Sequence, residues 1–173
     1  MMIAKRYILN NLKTLEKLYD KTSRTQEVIL YSKMAILELC GWIEETMDDI
    51  VRKCSKRNLK DSDNIKYVET NIIKRTHGFD YNDNFRKMLM QVLGIITVEE
   101  LESKLDLSKF QMMKSTLRTL KLNRDNEAHT HIKGVTTKLD APSVTISRFW
   151  HVNEGLTDID IKLKSLKTKR IIY

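Results

Sequence analysis

Proline occurs once in this chain and glycine only five times, so little interrupts a helix and turn-rich β architectures are disfavoured. Cysteine is nearly as scarce, with Cys40 and Cys54 lying within one predicted helix. At about 1.5 Å rise per residue they stand roughly 21 Å apart, far beyond disulfide reach. Both fall on the apolar face of that helix, which predicts core thiols in a reducing cytoplasm. CxxC and HExxH spacings are missing, so neither a structural nor a catalytic zinc is expected, and no cofactor is called for. Nowhere does an apolar run approach the roughly eighteen residues that a membrane span needs. The opening stretch MMIAKRYILNNLKTLEKLYD breaks its apolar residues with Lys5, Arg6 and Asn10, which reads as an amphipathic helix and not a signal peptide.

Charge is what the chain has in quantity. Of 173 residues, 31% are charged and 41% hydrophobic, with a formal net charge of +8. The length suits a single domain with a proper core, spanning residues 1–173. A mix poor in breakers and rich in Lys, Glu, Leu, Ile and Met predicts an all-α fold. The positive balance predicts a surface drawn to polyanions. Nucleic acid fits better than a membrane, since neither a lipid anchor nor a strongly basic amphipathic helix is present.

Periodicity gives four long helices. The first runs from about Ala4 to Lys21, with Ile8, Leu12, Leu15 and Leu18 or Tyr19 inward. Ser23 and Gln26 have capping-box spacing before a second helix that reaches about Arg57. Its stripe of Ile36, Cys40, Ile43, Met47, Ile50 and Cys54 steps by four and three, as bundle helices do, with Trp42 off the stripe. Residues 58–106 read as an insertion of short helices: a polar loop to Asn64, then Ile65–Arg75, a turn at His77-Gly78, Asn82–Leu93, and a helix capped by Thr97 with Glu100. A helix from about Leu107 to Lys133 follows, with Phe110, Met113, Leu117 and Leu120 inward and Gly134 ending it. The last spans about Val144–Leu166, with Ile146, Phe149, Val152, Leu156, Ile159 and Leu163 inward and Gly155 as a possible kink.

The rhythm of the Leu107–Lys133 helix continues onto Arg124, Ala128 and His131, so its apolar face ends in a charged, titratable patch. Inward charge needs a partner or a purpose. Residues 124–129 read Arg-Asp-Asn-Glu-Ala-His: a residue type that keeps its charge, then the residue type that titrates nearest neutral pH. Such a pairing suits metal-free chemistry on a phosphodiester. Asp125 and His129 are one turn apart on one helix face, so Asp125 can fix the imidazole tautomer. Arg124 and His129 lie roughly 140° apart around the axis at about 100° per residue, so both can border one cleft only if it is broad. His131 lies nearly beneath Arg124 and competes with His129; its plainer reading is a cation at a helix C-terminus. Glu127 is a further candidate acid, more simply a solvated helix residue. Lys133, Lys138 and Arg148 flank the hexad and are candidate RNA-backbone contacts. Phe149, Trp150 and His151 could stack on a base, although aromatics on an amphipathic helix are usually core or interface.

An arginine, then Asn, Asp or His, then three variable residues and a histidine is the pattern of HEPN domains, and RDNEAH resembles it at each specified position. The wider stretch RDNEAHTHIKGVTTKLDAPS is similar to the RiboL-PSP branch of that superfamily. The likeness covers the hexad helix, the loop after it and the last helix; residues 1–106 share only helical character. It implies an up-and-down four-helix bundle, a homodimer with a composite active site, and a metal-independent endoribonuclease of toxin–antitoxin or phage-defence type. Arg124 would then hold the scissile phosphate, His129 act as general base or acid, and Asp125 orient His129. The products would be a 2′,3′-cyclic phosphate and a 5′-hydroxyl. A cognate antitoxin or defence-system protein is the implied partner. The alternative reading is a HEPN-like module that binds RNA, a nucleotide or a protein without cleaving. A third is a helical interaction protein whose Arg124 and His129 form an interfacial polar network.

Overall fold

The computed structural model describes residues 3–129 and 139–166, with side chains for all of these but residues 125–129. Among them every regular element is helical. Helix α1 covers Arg6–Lys21 and α2 Thr25–Asn58, and α3, Ser62–Tyr67, runs straight into a π-helical stretch, Val68–Ile73. A second π-helical stretch, Tyr81–Phe85, leads into α4, Arg86–Leu93. After them come α5 (Ile95–Ser103), α6 (Leu107–His129) and α7 (Pro142–Ser165). No helix among the described residues is long and apolar enough to cross a membrane.

The four long helices pack on one another around a single apolar core. Trp42 Nε1 donates to the Ala4 carbonyl at 2.8 Å and Asn11 Nδ2 to Glu38 at 2.9 Å, so α1 and α2 run antiparallel. The Asp106 backbone N–H donates to Asp158 at 2.8 Å and Met113 faces Gly155, so α6 and α7 do likewise. Trp42 also packs on Phe149, with ring centroids 4.9 Å apart, which resolves its off-stripe position into a widened buried face. The inward stripes expected of α2, α6 and α7 are buried, with Phe110 and Ile146 at the margin, whereas Leu18 of α1 faces solvent. Cys40 and Cys54 are buried and unbridged, and burial pushes the Cys54 thiol up.

Two expected caps differ. Helix α2 begins at Thr25 without a side-chain cap; Thr22, not Ser23, ties the entry together, accepting from the Arg24 N–H and donating to Glu27. Thr97 lies inside α5, because Gly94 turns the chain at φ +81° and the new helix starts at once. Helix α6 is capped by Asp106, whose carboxylate accepts from the Lys109 N–H at 3.0 Å. Gly155 leaves α7 unbroken. A Cβ there would lie 2.6 Å from Met113 Cβ, so glycine permits close approach of α6 and α7.

The inserted segment is part of the core. Phe79, Tyr81 and Phe85 are among the largest fully buried side chains. Tyr81 meets Phe110 of α6 edge-on at 4.8 Å and donates its hydroxyl to Glu102 at 2.8 Å. Arg86 grips the same carboxylate through Nε at 2.8 Å and Nη2 at 3.1 Å. Burial would push Glu102 up, but the hydrogen bonds from Arg86 and Tyr81 outweigh it and hold the carboxyl below its ordinary range. This knot fixes the inserted helices against α6, and with them the segment that reaches Arg124.

Candidate functional site

Between Leu120 and Arg124 no described side chain of α6 is buried, and Arg124 borders a cleft of about 460 Å³. One wall is α2, through Glu44 and Asp48. The other is the end of the first π-helical stretch and the turn after it, through Ile73, Lys74, Thr76, His77 and Gly78. The Arg124 guanidinium lies over the buried Phe79 ring, 5.8 Å from its centroid. Arg124 Nη1 is 3.4 Å from Glu44 Oε1, an ion-pair contact that lacks hydrogen-bond alignment, so that buried oxygen has no hydrogen-bond donor among the described residues. An arginine on an aromatic face, with one fork edge loosely engaged, is a group ready to exchange a carboxylate for a phosphate.

Asp48 stands one turn from Glu44 on the same face of α2. Burial pushes its carboxyl up, to about 6; Glu45 adds to this, Arg52 opposes it, and Glu44 and Glu69 reinforce it. Arg52 is itself drawn onto Glu69, with Nε 2.9 Å from Oε2. Between about pH 4 and about pH 6 an unfolded aspartate is ionised while the folded Asp48 keeps its proton, so stability falls as pH rises through that window and stays lowered above it. Asp48→Asn should therefore leave the melting temperature unchanged below about pH 4 and raise it above about pH 7. Solvent screening at this half-buried site limits the gain to about 1 kcal/mol. Thermal melts across that range check it; a gain that is equal at both ends would sink the titration account.

The residues expected from the sequence are placed as follows. Arg124 borders the cleft. Asp125, Glu127 and His129 belong to α6 by their backbone, and their side chains lie outside the described residues. His131, Lys133 and Lys138 also lie outside them. Arg148 is mostly buried, with Nη2 2.6 Å from Asp140, so its guanidinium secures the entry to α7. Phe149 is core, while Trp150 is part-exposed, with Lys5 Nζ 5.3 Å from its ring centroid. Among the described residues no group of acids, histidines and cysteines is arranged to hold a metal ion. No family model, curated protein or solved structure matches the chain.

Sequence reasoning missed Glu44, Asp48, Lys74 and Phe79, and it took His77 for a turn residue only. One signal was available for the acids. Glu44 and Asp48 are four residues apart beside the apolar stripe of α2, so they must share a face. Nothing local marks Lys74 or His77, which reach the cleft through the course of the inserted segment.

Proposed function

We propose that this chain is a metal-independent endoribonuclease of HEPN type, acting in a toxin–antitoxin or phage-defence system. The four long helices are read as the up-and-down four-helix bundle of that superfamily, with residues 58–106 inserted. The observation that carries the reading is the departure of Arg124 from the apolar stripe of α6 into a charged cleft, at the head of an Arg-Asp-x-x-x-His hexad that is helical to His129. Arg124 would bind the scissile phosphate in place of Glu44 and stabilise the charge that develops on its oxygens. Lys74 adds a second cation on the facing wall. His129 would take the proton of the ribose 2′-hydroxyl, and Asp125 would hold the imidazole in the required tautomer. RNA carries its own nucleophile, so positioning and charge stabilisation suffice without a metal. A homodimer, joined at the hexad end of α6, would let Arg124 of one subunit serve beside His129 of the other.

The test is incubation of the pure protein with total RNA in EDTA, followed by end-group analysis. Cleavage leaving 2′,3′-cyclic phosphate and 5′-hydroxyl ends is expected; binding without turnover would convert the reading to a non-catalytic module. RNA affinity should be steeply salt-dependent, because the formal charge is +8. If about four phosphates of a single strand are neutralised, the log–log slope of affinity against salt should be about −3. A slope near zero would remove the basic surface from the account.

A further inference from the structure

Transphosphorylation needs two proton movements, one off the attacking 2′-oxygen and one onto the departing 5′-oxygen. Attacking and leaving oxygens stand roughly in line on opposite sides of phosphorus, so one imidazole does not reach both at once. The hexad provides one such group. We propose that His77 is the other, the catalytic residue that protonates the leaving 5′-oxygen; this rests on the ribonuclease reading above.

His77 lines the same cleft as Arg124 but comes from a different element, the turn between the two π-helical stretches. π-Helical turns inside helices recur at functional sites, and here two of them bracket one short segment. That segment is held firmly. Asn84 Nδ2 donates to the His77 carbonyl at 2.8 Å, and Asn84 Oδ1 accepts from the Asp80 N–H at 3.0 Å. Gly78 takes φ +103°, and a Cβ there would sit 3.1 Å from Asn84 Oδ1, so the turn is built for glycine beside this asparagine. Two residues beyond His77, Phe79 carries the Arg124 guanidinium. The backbone that delivers His77 is thus the backbone that seats Arg124.

Elimination among the cleft groups gives the same answer. Arg124 and Lys74 are suited to holding charge, and Glu44 already faces Arg124. Asp48 is half-buried in the α2 wall, whereas His77 is exposed. An imidazolium can give one ring proton to the leaving oxygen and take one back from water, as His129 returns its own, before the next turnover. In the step, the bond from O2′ to phosphorus forms as the bond from phosphorus to O5′ breaks. The 2′-proton passes to His129, and the proton on His77 goes to O5′.

The experiment uses one short RNA that the wild-type protein cuts, made with oxygen or with sulfur at the bridging 5′ position of the cut bond. A thiolate leaves without protonation, so loss of the acid should matter only for oxygen. His77→Ala and His77→Gln should cleave the oxygen substrate about 10²- to 10⁴-fold more slowly and the sulfur substrate at near wild-type rate. His129→Ala should stay slow on both. Full activity of both His77 variants on oxygen overturns the proposal and leaves the ribonuclease reading intact. So does an equal loss on oxygen and sulfur, or sulfur rescue of Asp48→Asn in place of the His77 variants. A wild-type protein that cuts no RNA overturns the ribonuclease reading and this proposal with it.

Discussion

Arg124→Ala should lose RNA cleavage by about 10²- to 10⁴-fold or more while the protein stays folded. The two halves of that expectation rest on different magnitudes. Arg124 and Glu44 are 38% and 35% exposed at their side chains, so their ion pair is worth about 0–1 kcal/mol to stability. The rate loss corresponds to roughly 3–5 kcal/mol of transition-state stabilisation at 1.36 kcal/mol per tenfold. Chemistry, not unfolding, should therefore dominate the phenotype. Arg124→Lys should rescue only in part, because an ammonium on the same stem cannot present a planar fork to phosphate. His129→Ala should lose about 10²- to 10⁴-fold through proton transfer, and Asp125→Asn should lose less. His131→Ala is the control and should remain active; if it is dead and His129→Ala is active, the base moves by two residues. Single-turnover rates on one RNA decide among these outcomes, and wild-type rates in all of the variants would end the assignment of this site. Toxicity on expression should follow the same order.

Gly155→Ala should destabilise the fold, against the usual gain from removing a glycine inside a helix. Alanine would add about 1 kcal/mol of helix propensity. The new Cβ, however, would meet Met113 Cβ at 2.6 Å and Sδ at 2.7 Å. The sulfur can swing away, but the Met113 Cβ is fixed to its backbone, so α6 and α7 must part. Overpacking of this kind costs about 1–3 kcal/mol. A net loss of up to about 2 kcal/mol should lower the melting temperature by up to roughly 8 °C in a domain of this size. Gly155→Val should cost more. Because α6 also carries the hexad, both variants should cleave more slowly in proportion to the displacement of Arg124. A melting temperature at or above wild type would mean that the helices have room to spare.

How much of this was readable in advance follows from what each segment's period reports. The stripes of α2, α6 and α7 announced the core because a regular α-helix repeats its inward face, and those residues are buried apart from Phe110 and Ile146 at the margin. The inserted segment kept no single period, since α-helix gives way to π-helix at Val68 and returns only at Arg86. Its apolar residues therefore read as irregular, although Phe79, Tyr81 and Phe85 are fully interior. The same irregularity hid Lys74 and His77. Arg124 was legible as a break in a rhythm, but its ring platform and its counter-ion come from segments 45 and 80 residues earlier, where no spacing rule applies. Gly155 looked like a kink because sequence reports the missing side chain and not the neighbour that needs the space.

The two buried thiols of α2 make this protein its own folding reporter. Cys40 and Cys54 are buried on the core face of the helix that also carries Glu44 and Asp48. A thiol reagent can reach them only when α2 parts from its neighbours, and burial also disfavours the reactive thiolate of Cys54. Their labelling rate is thus a clock for core opening that needs no engineered cysteine. It offers a direct way to separate a dead site from a loosened fold in any variant of the cleft.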